Sequence, residues 1–147
     1  MKKLLLILLC LPMIGFGQQT YVPDNNFEAY LEANGMGNGV PNDDYVTTSN
    51  INTITSINIL NLNISDLTGI EDFTALTYLR CDGNNLTSLD VSNNLALTDL
   101  TCQGNQLTSL DLRNHTLQNL FIETTYNQNL FCIDVDNPTL AQVLFTN

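Results

Sequence analysis

Residues 75–95 read ALTYLRCDGNNLTSLDVSNNL and residues 96–116 read ALTDLTCQGNQLTSLDLRNHT, one phrase written twice in succession. Leu76, Leu79, Cys81, Asn84, Leu86 and Leu89 recur 21 residues later as Leu97, Leu100, Cys102, Asn105, Leu107 and Leu110. A fixed short period marks a solenoid, in which each repeat is one turn and covers its apolar side with the next. Strand geometry explains the spacing. Side chains at i and i+2 share a face, so Leu79 and Cys81 point inward while Tyr78, Arg80 and Asp82 point outward. Leu76 enters the core before the strand and Leu86 and Leu89 after it, which returns the chain about 4.8 Å above itself.

On the N-terminal side, Ile54, Ile57, Ile59, Ile64 and Leu67 take the positions of Leu76, Leu79, Cys81, Leu86 and Leu89 in a turn one residue longer. There Leu62 replaces the asparagine, and Ile70 and Phe73 fill the return path. On the C-terminal side, Leu117, Leu120 and Ile122 align with Leu97, Leu100 and Cys102, with one residue missing before Leu117 and a longer TTYNQN segment at 124–129. Register resumes where Leu130, Ile133 and Val135 match Leu107, Leu110 and Leu112. Before the repeats, Pro23 and Asp24 or Asn25 open a helix, with Asn25 and Glu28 at capping-box spacing and an apolar stripe of Phe27, Tyr30 and Leu31; Gly35 and Gly37 to Gly39 close it. That stripe suits an N-terminal cap. After the repeats, Asn137, Pro138, Leu140, Val143 and Leu144 predict a short C-terminal cap.

The recurring polar residues have structural readings first. Asn84 and Asn105 can bond backbone groups of neighbouring turns through both ends of their amides, and losing one is expected to cost about 1 to 3 kcal/mol. Asp90, Asp111 and Asp134 stack in register, as turn-forming acceptors of backbone N–H groups or as a calcium column. Asp43 and Asp44 sit in a GNGVPNDDY loop that lacks the DxDxDG spacing of a calcium loop. Cys81 and Cys102 fall on successive turns, as small buried hydrophobes or as a strained disulfide. Cys132 falls off the core positions, as a free thiol. No further ligands converge on these cysteines, so no metal and no cofactor is expected.

Composition limits the partners. The chain has 147 residues, a net charge of −11, and only four basic residues: Lys2, Lys3, Arg80 and Arg113. Nucleic acid and anionic membranes need clustered Lys and Arg, so both are excluded as partners. Residues 1–17 combine two lysines, an apolar run and small residues at Gly15 and Gly17, which predicts a signal peptide, a secreted or cell-surface destination and no membrane insertion.

The LxxLxLxxNxL spacing resembles the leucine-rich repeat, and the longer first turn resembles the bacterial internalin-like form. The phrases YVPDNNFEAYLEANGMGNGVPNDDYV, ISDLTGIEDFTALTYLRC, LTSLDVSNN and CIDVDNP extend the resemblance to exported bacterial leucine-rich repeat proteins. It implies an α/β right-handed solenoid with a concave parallel sheet and an interaction role outside the cytoplasm. The expected organisation is a signal peptide at 1–17, an N-terminal helical cap at 18–50, about four turns of repeats at 51–136 and a short C-terminal cap at 137–147. Many relatives carry more repeats, a longer segment after CIDVD or a surface-anchoring domain, so the surface attachment and any partner of Cys132 stay open.

The only histidine, His115, has no orienting partner or nucleophile in its pattern, and a short solenoid offers an open surface instead of a cleft; no enzymatic activity is expected. The outward residues form three expected columns: Ser56, Tyr78, Asp99, Asn119; Asn58, Arg80, Thr101, Phe121; and Leu60, Asp82, Gln103, Glu123. Tyr78, Arg80 and Phe121 are residue types that anchor interfaces. The expected ligand surface comprises Tyr78, Arg80, Asp82, Asp99, Thr101, Gln103, Asn119 and Phe121, in a monomer that binds a protein. The alternative is a glycan-binding or adhesive accessory, with calcium assistance and with Tyr78 and Phe121 stacking on sugars.

Overall fold

The computed structural model describes residues 17–115 and 119–136. The expected signal peptide falls almost wholly outside these residues, as do Leu117 and the expected C-terminal cap with Asn137, Pro138, Leu140, Val143 and Leu144.

Each solenoid strand is three residues long, because only one core side chain flanked by two outward ones fits before the chain must turn. Strands β3 (Ser56–Asn58), β4 (Tyr78–Arg80), β6 (Asp99–Thr101) and β8 (Phe121–Glu123) form one parallel sheet. Strands β5 (Ser88–Asp90), β7 (Ser109–Asp111) and β9 (Cys132–Asp134) form a second one on the return path, which the repeat pattern did not reveal. Four strands on one side and three on the other make a parallel-sheet β-solenoid of about three turns, and the first return arc holds a short 3-10 turn (Ile70–Asp72) in place of a strand. Between the sheets, Ile57, Ile59, Ile64, Phe73, Leu76, Leu79, Leu86, Leu100, Leu107, Leu110 and Leu112 are fully buried.

A column of asparagine amides joins the turns. Asn84 Oδ1 accepts from the backbone N–H groups of Leu62 and Ile64, and its Nδ2 donates to the carbonyls of Ile59 and Cys81. Asn105 accepts from Leu86 N–H and donates to Cys81 and Cys102. Asn127 continues the column, accepting from Leu107 N–H and donating to Cys102 and Thr124. One residue earlier in each turn the backbone is left-handed: Asn61, Gly83, Gly104 and Tyr126 have φ of 57°, 65°, 60° and 62°. At Gly83 an added Cβ would also run into the Asn61 side chain.

These bonds correct the register of the last turn. Ile122 pairs with Leu100, Phe121 with Asp99 and Glu123 with Thr101, so Thr124 takes the place assigned to Ile122 opposite Cys102. The alignment slipped by two residues because it followed leucines, whereas the amide column fixes where the chain leaves the sheet. The pairing of Leu110 with Ile133 and of Asp111 with Asp134 is as expected.

The N-terminal segment adds a feature without a repeat signal, an antiparallel pair of β1 (Gln19–Tyr21) and β2 (Tyr45–Thr47). Between them lies α1 (Asn25–Ala33), and α2 (Thr48–Ile51) follows β2. Val22, Phe27, Leu31, Val46 and Ile51 are fully buried, with Phe27 stacked on Phe73 at 6.3 Å between ring centroids. Asp24 is the N-cap. One oxygen accepts from Asn26 and Phe27 N–H at 3.0 Å each, and the other accepts from Ser65 N–H and Oγ at 2.8 Å each. A single buried carboxylate thus ties the helix to the first turn. Burial pushes this carboxyl up, but the bonds from Ser65, Phe27 and Asn26 outweigh that and hold it below the usual aspartate value. The expected capping box is absent: Glu28 is buried and accepts from Asp43 and Asp44 N–H instead, while Glu32 accepts from Asn38 and Gly39 N–H. Two helix carboxylates therefore shape the GNGVPNDDY loop, and Asp43 accepts from Asn38 and from Tyr45 N–H.

Candidate interaction surface

Alternation about the buried Leu79 and Leu100 sends Tyr78, Arg80, Asp99 and Thr101 to the outer face of the four-stranded sheet. Pairing places Ser56, Tyr78, Asp99 and Phe121 in one column and Asn58, Arg80, Thr101 and Glu123 in the next. Phe121 and Glu123 each stand one column away from the position expected of them, and Asn119 precedes β8 instead of lying on the sheet. Phe121 is 57% exposed, while Tyr78 and Asp99 are half-buried.

Asp82 points outward but is buried. It accepts from Arg80 Nε at 2.8 Å, from Gln103 N–H at 2.9 Å and from Thr101 Oγ1 at 3.3 Å, so it holds its neighbours in place and offers little to a ligand. The bond to Asp82, with its charge, raises the Arg80 guanidinium further above its ordinary value. Gln103 Oε1 accepts from Thr125 Oγ1. Of the eight expected residues, then, Tyr78, Arg80, Asp99, Thr101 and Phe121 share the sheet face, Asp82 and Gln103 form a hydrogen-bonded margin, and Asn119 stands apart.

The other expected sites have local roles. Asp90 and Asp111 each accept from the backbone N–H two residues on, at Ser92 and Arg113, the turn reading of the aspartate column. Hydrogen bonding to Arg113 outweighs desolvation and holds the Asp111 carboxyl low. Among the described residues, no group of three or more His, Cys, Asp or Glu side chains is arranged to hold a metal ion. Cys81 and Cys102 are buried and form no disulfide, and Cys81 Sγ donates to Thr101 O at 3.4 Å; burial pushes Cys81 well up and Cys102 to about 12, so both remain thiols at neutral pH. Cys132 is half-buried and lies opposite Ser109. His115 Nε2 lies 2.7 Å from Val91 O, as Asn94 Nδ2 lies 2.7 Å from Ile70 O one turn earlier. This second column of carbonyl partners was missed, although SNN at 92–94 and RNH at 113–115 share a repeat position.

The repeat and its two parallel sheets define a leucine-rich-repeat protein. No family model matches the chain. It is 40% identical over 74 residues to internalin J of Listeria monocytogenes serotype 4b (strain F2365), a match covering 50% of this chain and 8% of that protein. The solved functional domain of internalin J from Listeria monocytogenes, which includes a cysteine ladder, superposes with a TM-score of 0.61 at 33% identity, covering 79% of this chain and 28% of that one. An internalin, InlF, from Listeria monocytogenes strain 4b F2365 shares the fold with a TM-score of 0.54 at 21% identity, covering 78% of this chain and 44% of that one. The chain is similar to internalins in its repeats and its fold, and it spans less than half the length of each of these relatives. Among the described residues, no helix is long and apolar enough to cross a membrane.

Proposed function

We propose that the chain is a non-catalytic binding module that works outside the cytoplasm and engages a protein through the outer, concave face of its four-stranded sheet. The observation that carries this reading is the contrast along each turn. The inward position of each strand is held to isoleucine or leucine, at Ile57, Leu79, Leu100 and Ile122, whereas the outward column changes from Ser56 to Tyr78 to Asp99 to Phe121. A face of mixed aromatic and charged residues on a rigid frame suits recognition. Likeness to internalin J supports the class, and the leader-like residues 1–17 support the location.

The test places a photo-crosslinking side chain in the full chain at Asn58 or Thr101 on the sheet face, and at the exposed Leu95 on the return arc. Protein adducts specific to the two sheet positions, and diminished by Tyr78→Ala with Arg80→Ala, are expected. Equal adducts from Leu95, or none from any position, would overturn the reading. Binding of the same chain to a glycan array in calcium-containing buffer, without protein adducts, would favour the carbohydrate alternative.

A further inference from the structure

The corrected register brings Phe121 into the column of Tyr78 and Asp99, from which the leucine alignment kept it apart. Tyr78 stands opposite Asp99, and Asp99 opposite Phe121, on three successive strands. With strands about 4.8 Å apart, the two aromatic residues are separated by about 10 Å with a carboxylate between them. A cation held midway would lie within the roughly 6 Å that aromatic faces need to attract it, and beside the negative charge. Asp99 Oδ2 accepts from Thr98 Oγ1 at 2.7 Å and has no cationic partner among the described residues. The two arginines are engaged elsewhere, Arg80 with Asp82 and Arg113 with Asp111. One column over, Glu123 and Arg80 stand on either side of Thr101 and offset each other's charge, so Asp99 supplies the negative charge of the seat, and the chain's net charge of −11 favours the approach of positive partners.

We propose that Tyr78, Asp99 and Phe121 form a seat for one cationic side chain, a lysine or an arginine, presented by the protein partner. This rests on the proposed use of the sheet face. An acidic side chain is repelled by Asp99 and by the negative faces of both rings. A neutral side chain finds the rings but leaves the carboxylate uncompensated.

The test is a titration of the isotope-labelled full chain with acetyl-Gly-Lys-Gly-amide and its arginine counterpart, followed by backbone amide shifts. The control is the same peptide with the lysine Nζ acetylated. Saturable shifts are expected at Tyr78, Asp99 and Phe121 with both cationic peptides. Binding should weaken about 10-fold in Asp99→Asn and about 3-fold in Phe121→Leu, which keeps apolar bulk and removes the ring, and it should weaken with added salt. A well-dispersed spectrum verifies that each variant is folded. Shifts absent from these three residues, or equal with the acetylated control, would overturn the seat. Sheet-face crosslinking that survives Asp99→Asn at unchanged affinity would overturn the seat and leave the broader reading standing. Loss of sheet-specific crosslinking, with lysine-specific shifts retained, would overturn the broader reading and keep the seat.

Discussion

The asparagine column and the outer sheet face run side by side through the same turns, yet one repeats its residue and the other does not. Asn84, Asn105 and Asn127 each satisfy backbone groups of two turns at once, and any other side chain would leave buried donors and acceptors without partners. Ser56, Tyr78, Asp99 and Phe121 touch no such groups, so their identities are free to differ. Internal repetition thus separates residues that build the solenoid from residues that can be spent on recognition.

The strongest way to break this contrast is Asn105→Ala. It strands Leu86 N–H and leaves the Cys81 and Cys102 carbonyls with only the amides of Asn84 and Asn127, and a loss of about 2 to 3 kcal/mol in urea unfolding is expected; a loss under 1 kcal/mol would mean that the amides are decoration. Asp24→Ala, which removes the helix cap and the tie to Ser65, should cost about 2 kcal/mol in the same measurement. Because its folded pKa is lowered, Asp24 stabilises fully above the unfolded value near 3.8 and loses that contribution as pH falls through the lower folded value. Asp24→Asn should therefore flatten part of the acid limb of a pH–stability curve. Tyr126→Gly sharpens the register itself: relief of a left-handed backbone at φ 62° should raise stability by about 1 kcal/mol, while Gly104→Ala lowers it by a similar amount. Asn58→Ala and Thr101→Ala, on the sheet face, should shift stability by no more than about 0.5 kcal/mol in thermal unfolding.

The sequence was most legible where physics demands the same answer every turn. Leu79 and Leu100, Asn84 and Asn105, and the stacked aspartates all emerged from spacing alone, and so did the outward direction of Tyr78, Arg80 and Asp99. It was least legible where a side chain serves a distant, non-repeating partner. Glu28 has capping-box spacing but turns to Asp43 and Asp44, and the β1 and β2 pair joins segments too far apart for any periodic signal. The two-residue slip at Phe121 had a remedy in plain view, since Asn105-Gln106 recurs as Asn127-Gln128. Hydrophobic matching favoured Leu120, which is buried without occupying a ladder position. The candidate seat therefore depended on pairing that leucines alone do not specify.

Successive strands of the first sheet pair 22, 21 and 22 residues apart, and the asparagine column stays in step throughout. Additional residues are absorbed in the return arcs, and Asn127 to Leu130 holds one more residue than Asn105 to Leu107. Copying or deleting a whole turn by recombination, with imprecise joints in the arc, would then leave every other row of the sheet aligned. The amide column makes the gene tolerant of such editing, and a recognition face could lengthen or shorten by one row without being redesigned.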